Sequence, residues 1–234
     1  MLTETDKERY VRHLLIPEIG EDGQKRLKQA KVLVVGAGGL GGSLLYYLAA
    51  SGIGKIGIVD FDSVVLSNLQ RQILFTEDDI GKNKAELAVI RLQQLNSTLQ
   101  YEAIPYKLDE QLAERLFPEY DLVVGATDNF QSRNIIDNFC GKYSKPYIHG
   151  SINEFECQVA VFHYHDRQSY QQLFSQVPAD TGTPIGVFAP LVGLTGCLMA
   201  GEVIKIILNR GNILHSRLLI YNMLTHQWNI IQVQ

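Results

Sequence analysis

Short apolar, β-branched runs alternate with longer amphipathic stretches through the first two thirds of this chain. Residues 31–35 (KVLVV), 55–60 (KIGIVD), 99–104, 121–126 (DLVVGA) and 145–150 (KPYIHG) read as strands. The clearest of them are continuously apolar rather than alternating, which suits strands covered on both faces of a parallel sheet. Between them, 40–51, 82–95, 109–117 and 129–143 read as helices; the second places Ala85, Leu87, Ala88, Ile90, Leu92 and Leu95 at helical spacing. Strand–helix alternation of this kind predicts a doubly wound parallel sheet with helices on both faces. Two polar helices lead in. One covers 8–15 behind a capping box at Thr5-Asp6-Lys7-Glu8, and the other covers 20–29.

The pattern changes after Gly150. Residues 156–165 alternate weakly, as an antiparallel strand does, and 217–221 with 228–233 form a closing hairpin. Residues 167–186 are polar, with Pro178, Gly182 and Pro184, and read as a long loop. Loops beyond ~12–15 residues in a compact domain are usually functional or disordered. Residues 187–208 form a long apolar helix that Glu202 and Lys205 interrupt, so it is assigned to the core rather than to a membrane. No linker is evident, which gives one domain over 1–234: lead-in helices at 1–30, a nucleotide-binding half at 31–150 and a second half at 151–234. The expected fold class is α/β, a Rossmann-like doubly wound and mainly parallel sheet, extended by C-terminal antiparallel strands.

Composition narrows the function classes. The 234 residues are 46% hydrophobic and 20% charged, which excludes global disorder. A net charge of −4 argues against a general nucleic-acid binder, and no partner of that kind or membrane is expected. The opening MLTETDKERY has no apolar signal core, and three cysteines at wide spacing make no disulfide framework. The expected location is the reducing cytoplasm.

The candidate chemistry begins at Gly36-Ala37-Gly38-Gly39-Leu40-Gly41, a G-x-G-x-x-G that follows a strand and opens a helix. Glycines let the backbone approach a phosphate, and the helix N-terminus offers free N–H groups and positive charge. Asp60 ends the next strand, 19 residues past Gly41, where a carboxylate can accept ribose hydroxyls. NAD, FAD and ATP all remain open at this point, as does a tight turn without ligand. Arg71 and Lys84 lie on the connection out of that second strand. A dinucleotide needs neither, whereas a triphosphate calls for an arginine fork and a lysine. Asp128 follows the 121–126 strand, and ligands of open α/β sheets bind at the C-terminal ends of strands. An acid beside phosphates reads as a Mg²⁺ ligand; its alternative is a cap for the following helix.

Together these residues resemble the ThiF/MoeB/HesA family, bacterial relatives of the ubiquitin-activating enzymes. The likeness runs from Arg9-Tyr10-Val11-Arg12-His13 to the closing hairpin and is densest at 32–41, 60–72 (with SNLQRQ), 81–84 and 127–129. It implies an enzyme, an adenylyltransferase that binds ATP with Mg²⁺ and the Gly-Gly tail of a small ubiquitin-like sulfur-carrier protein. The second half, 151–234, is then the carrier-binding half with 167–186 as its crossover loop. The resemblance makes Gly39 the phosphate-loop glycine, beside Gly36, Gly38 and Gly41, and Asp60 the ribose acid. Ser67, Asn68, Leu69, Gln70 and Arg71 match the ATP segment, with Asn68 and Arg71 on phosphate oxygens. Lys84 matches the phosphate lysine, Asp128 the Mg²⁺ acid, and Asn129 stands beside it. Arg12 resembles an arginine that reaches the partner subunit's ATP, which implies a homodimer. The implied catalytic set is Arg12, Arg71, Lys84 and Asp128.

The sequence departs from the family in two places. Many members hold a structural zinc with two C-x-x-C pairs; here Ser169-Tyr170-Gln171-Gln172 stands at the first pair, and no second pair follows the hairpin. Four thiolates are needed and the chain has three cysteines, so no zinc is expected. Many members also carry a cysteine in the crossover loop, where this chain has Thr181-Gly182-Thr183-Pro184. Cys140, Cys157 and Cys197 read as inert core, and His149, His163 and His165 lack ligand spacing. The departures weaken sulfur transfer and leave adenylation intact. Thiamine thiazole synthesis is placed ahead of molybdopterin synthesis as the pathway. An NAD-dependent oxidoreductase would leave Arg71, Lys84 and Asp128 without work, and their presence also argues against a non-catalytic binding partner.

Overall fold

The structure is a computed structural model that describes residues 1–165, 168–174 and 185–233. Its centre is one sheet of eight strands: β1 (Lys31–Val35), β2 (Lys55–Val59), β3 (Gln100–Ile104), β4 (Leu122–Gly125), β5 (Tyr147–Asn153), β6 (Glu156–Phe162), β7 (Arg217–Asn222) and β8 (Gln227–Gln232). The spatial order is β3-β2-β1-β4-β5-β6-β7-β8. The first five positions are parallel and the last three antiparallel, so the expected extension by antiparallel strands is present. The chain reverses its direction of winding between β1 and β4, and a crevice forms at such a switch point.

Two cores explain the apolar runs. Val32 and Val34 of β1 face one side, with α3 (Gly20–Gln29), α4 (Gly39–Ser51), α5 (Lys84–Leu95) and α9 (Ala189–Leu208). Leu33 and Val35 face the other side, with α6 (Glu110–Leu116), α7 (Phe130–Tyr143) and α8 (Tyr170–Phe174). Side chains alternate across a strand, so a strand buried on both faces has no polar positions to give. Helix α9 is long and apolar enough to cross a membrane by length and composition. In the fold it packs on α4, β5 and β6, and Glu202 is tied to Lys205 and to the Leu214 amide.

Three local expectations are corrected. The first helix does not start behind Thr5. Asp6 reaches back to the Thr3 amide at 2.8 Å while Thr3 Oγ1 accepts from the Asp6 amide, so α1 spans Glu4–Arg9. The chain then bends at Tyr10 into α2 (Val11–Leu14). The strand expected over 156–165 stops at Phe162, because His163 turns to a φ of +56°. The loop expected over 167–186 contains the short helix α8. Its first amides, those of Tyr170 and Gln171, donate to Asp137 of α7 at 2.8 and 3.1 Å. Asp137 stands 33 residues upstream, out of reach of local sequence rules, while a local box adds to it: Ser169 Oγ accepts from the Gln172 amide and Gln172 Oε1 from the Ser169 amide, both at 3.1 Å.

The lead-in helices are fastened by buried polar groups. Tyr10 is 3% exposed, and its hydroxyl accepts from Asn96 Nδ2 at 2.9 Å; Asn96 also donates to the Ala49 carbonyl. Gln24 donates to the Ser51 carbonyl nearby. Tyr10→Phe leaves an Asn96 donor short of a partner and is expected to cost about 1–3 kcal/mol of stability. Tyr10→Ala adds a cavity and is expected to cost about 3–5 kcal/mol. Urea denaturation of the three proteins checks both figures; equal midpoints would show that the lead-in helices are not fastened here.

Candidate active site

A crevice of about 740 Å³ lies at the C-terminal ends of β1, β2, β4 and β5. One wall is the turn from β1 into α4. Gly36 has a φ of +101°, and a Cβ there would stand 2.5 Å from the Ala126 carbonyl oxygen. At Gly41 a Cβ would stand 2.1 Å from the Gly36 carbonyl oxygen, so this glycine lets α4 press on the turn. Gly36, Gly38 and Gly39 line the crevice; Gly41 does not, and its part is packing. Gly38 caps α4 without a side chain, which leaves the first-turn amides aimed outward.

Asp60 is 9% exposed and lines the same crevice. Its Oδ2 accepts from the Ala37 amide at 2.7 Å and its Oδ1 from the Asp62 amide at 2.9 Å. The carboxylate therefore ties the glycine turn to β2 as well as facing the crevice. Burial raises its pKa, against the lowering by those two amides and by the Lys84 charge. Lys84 is buried, with its Nζ 3.2 Å from Asp62 Oδ2. Asn83 caps α5 and donates to the Asp60 and Asp62 carbonyls, which fixes the start of that helix against the site. Arg71 leans on Gly39 and donates from Nη1 to the Ser67 carbonyl at 3.2 Å.

Asp128 lines the crevice and is exposed, and it is not the cap of α7. Asn129 is the cap of α7: its Oδ1 accepts from the Ser132 amide at 2.8 Å, and its Nδ2 donates to Thr127 Oγ1. The alternative reading of Asp128 as a helix cap is thereby overturned by its neighbour. Gly36, Gly38, Gly39, Asp60, Arg71, Lys84, Asp128 and Asn129 converge on one crevice. Ser67, Asn68, Leu69 and Gln70 do not line it; the 3₁₀ turn Leu66–Asn68 holds Arg71 through the Ser67 and Asn68 carbonyls. Arg12 is exposed on α2 and outside the lining.

The sequence reading missed several lining residues. Gln72 is 6% exposed against Gly38, and its Oε1 has no partner among the described residues. It directly follows Arg71, but an amide carries no charge to draw notice. Arg133 stands one helical turn past Asn129, a spacing that puts both on one face and was available from the sequence. His149, Tyr170 and Phe174 form an aromatic wall that only the fold assembles. Burial, reinforced by the Arg133 charge, holds the His149 pKa well below its usual value.

Cys140, Cys157 and Cys197 do not line the crevice, and burial raises the pKa of each thiol. His163 pairs with Asp137 at 2.8 Å and His165 stacks on Tyr164. Among the described residues no group of three or more His, Cys, Asp or Glu is placed to hold a metal. The stretch Thr181–Pro184 of the expected crossover loop lies outside the described residues.

A glycine cradle, two cations and an exposed carboxylate fit a nucleoside triphosphate with a hard divalent cation. One carboxylate is enough for Mg²⁺, which keeps waters and phosphate oxygens as its other ligands. The two amide contacts of Asp60 give a testable outcome. Asp60→Asn keeps an acceptor for one of the two amides and turns its Nδ2 donor on the other. The variant is expected to lose about 1–3 kcal/mol of stability for the unmatched N–H, while ATP binding weakens about 10–100-fold with loss of the charged acceptor. Calorimetry on both counts checks this; an unchanged melting temperature with unchanged ATP affinity would contradict it.

Comparison with known proteins agrees with this geometry. The ThiF family model matches residues 10–234. The chain is 41% identical to the sulfur carrier protein adenylyltransferase of Thermus thermophilus, over 99% of this chain and 89% of that protein. It is 40% identical to the molybdopterin-synthase adenylyltransferase of Haemophilus influenzae, over 93% and 91%. A probable molybdopterin-synthase adenylyltransferase of Porphyra purpurea is 43% identical; 97% of this chain matches 61% of that longer protein. Among solved structures, E. coli MccB superposes with a TM-score of 0.86 at 26% identity, over 97% of this chain and 70% of that one. MccB with AMPCPP and MccA gives 0.84 over 99% and 72%, also at 26% identity. A glycine turn, Asp60, Arg71, Lys84 and Asp128 gathered on one switch-point crevice, in a chain matched almost throughout, place this chain in the ThiF family.

Proposed function

We propose that this adenylyltransferase joins AMP to the C-terminal glycine of a small ubiquitin-like sulfur-carrier protein. What carries the reading is the convergence of Arg71, Lys84 and Asp128 on the glycine turn, in a chain 41% identical to a sulfur carrier protein adenylyltransferase. A carboxylate oxygen of the carrier bonds to the α-phosphorus of ATP, and the bond from that phosphorus to the bridging oxygen of the β-phosphate breaks. The products are an acyl-adenylate and pyrophosphate. A C-terminal carboxyl has a pKa near ~3.5, so it is already ionised at neutral pH and no general base is required. The task left to the protein is positioning and neutralisation of charge.

The chain's own residues divide that task. The glycine turn and α4 N-terminus receive phosphate oxygens, and Asp60 accepts from ribose hydroxyls. Arg71 and Lys84 offset the charge of the departing pyrophosphate. Asp128 is the residue that would hold Mg²⁺, which when bound screens the phosphates from one another. Arg12 stands outside its own crevice, as suits an arginine delivered to the nucleotide of a second copy in a homodimer. Three unpaired cysteines suit the reducing cytoplasm. A hydride-transfer reading would leave both cations and Asp128 idle in the crevice. The carrier class is common to thiamine and molybdopterin synthesis, and the relatives' names include a sulfur carrier protein adenylyltransferase and molybdopterin-synthase adenylyltransferases.

Exchange of labelled pyrophosphate into ATP is expected only when a carrier with a free Gly-Gly terminus is present; silence with every such carrier of the source organism would overturn the reading. Asp128→Ala is expected to lower exchange about 10²–10³-fold with little change in melting temperature, as for other lost electrostatic contacts at a reacting centre. Asn129→Ala is expected to lose about 1 kcal/mol of stability as a missing cap. The reverse pattern would exchange their roles.

The dimer has its own check. Arg12→Ala and Asp128→Ala are each expected to be nearly inactive alone. Subunits mixed, unfolded and reassembled are expected to recover about a quarter of wild-type exchange, because half the dimers then hold one complete site. No recovery from two inactive variants would place Arg12 in its own chain's chemistry, and an active Arg12→Ala would place it outside the reaction.

A further inference from the structure

We propose that Arg133 receives the incoming carboxylate, an assignment that rests on the adenylation reading above. The strand order sets β3, β2 and β1 on one side of the switch point and β4, β5 and β6 on the other. Asp60, Lys84 and the glycine turn belong to the first side, and Arg71 leans on Gly39. Arg133 belongs to the second. Its Nε and Nη2 donate to the Thr127 carbonyl at the end of β4, at 3.3 and 3.1 Å. Its guanidinium lies 5.5 Å from the Phe130 ring centroid. The two hydrogen bonds to Thr127 engage two of its five N–H groups and leave enough for both oxygens of a ligand carboxylate.

Three cations line the crevice among the described residues: Arg71, Lys84 and Arg133. Lys84 already pairs with Asp62, whereas Arg133 forms no ion pair among the described residues. On the β4–β6 side the crevice is also lined by His149, held neutral by burial, by the uncharged Ser151 and Gln158, and by the carboxylates Asp128 and Glu156, neither of which pairs with Arg133 among the described residues; Arg133 is the cation of that side. A carboxylate that attacks the α-phosphorus opposite the leaving pyrophosphate is an anion driven against an anion. Arg71 and Lys84 serve the leaving side, so a cation is wanted on the entering side. A planar guanidinium with free N–H groups matches both oxygens of a carboxylate. Arg133 therefore orients the carrier's last residue, and nucleotide binding does not depend on it.

The test uses a ubiquitin-fold carrier from the source genome ending in Gly-Gly, made with a free carboxylate and as the C-terminal amide. Wild-type protein is expected to bind the carboxylate form about tenfold or more tightly than the amide, as a charge-assisted pair requires. Arg133→Gln is expected to bring the two forms within about twofold and to raise the carrier KM of exchange about tenfold or more, with ATP affinity unchanged. A preserved carboxylate preference, or a raised ATP KM at normal carrier KM, would overturn the assignment. Should the variant melt early, phenylglyoxal labelling of Arg133 in wild-type protein decides. It is expected to slow with the carboxylate carrier and not with the amide; equal labelling overturns the assignment. Absence of exchange in wild-type protein with any Gly-Gly carrier would instead defeat the adenylation reading itself.

Discussion

The close approach of the β1–α4 turn to the end of β4 is the constraint on which the site depends. A Cβ at Gly36 would meet the Ala126 carbonyl, and one at Gly41 would meet Gly36 itself. Only bare backbone fits, and it brings the N-terminus of α4 beside the loop that carries Asp128. Asp60 completes the junction by accepting the Ala37 amide from the neighbouring strand. A carboxylate buried against its own charge is the cost of that junction, and it is the same group that faces the proposed nucleotide site. Stability and recognition thus share one side chain.

Around that turn the sheet supplies direction. Parallel strands point their C-terminal ends at one crevice, so residues far apart in sequence, from Gly38 to Asp128, arrive on one rim. The cations come from two connections: the 3₁₀ turn that holds Arg71 and the capped start of α5 that holds Lys84. Strand β5 adds His149 and Ser151 to the far wall, and the antiparallel β6 continues the same sheet with Gln158. The division into a phosphate side and an entering side follows from this order of strands.

Much of this was legible in the sequence, for physical reasons. Strands covered on both faces have to be apolar throughout, so β1, β2 and β4 stood out. The glycine turn, Asp60 and the cations carry charge or backbone requirements that local spacing reveals. What escaped detection turned on which of several partners a side chain takes. Helix α8 is held by a Ser169–Gln172 box that the sequence offered and by Asp137, 33 residues upstream, which no rule over neighbouring residues sees. The start of α1 was misplaced because Asp6 serves as the reciprocal capping acceptor at Thr3 instead of Glu8 at Thr5. Asp128 and Asn129 offered two adjacent oxygen-bearing side chains for one cap, and only geometry assigned it to Asn129. Gln72 is the uncharged end of SNLQRQ and the wall around His149 has no motif, so their part became visible only as surfaces of a crevice.

The central claim is that this crevice forms a mixed anhydride at a protein's terminal carboxylate. Intact-mass spectrometry of a Gly-Gly carrier, after incubation with the protein, MgATP and pyrophosphatase, addresses it directly. The account predicts a gain of one adenylyl group on the carrier, released by hydroxylamine and absent from the C-terminally amidated carrier. An unmodified carrier, or an adenylyl group on any site other than the terminal carboxylate, would contradict it.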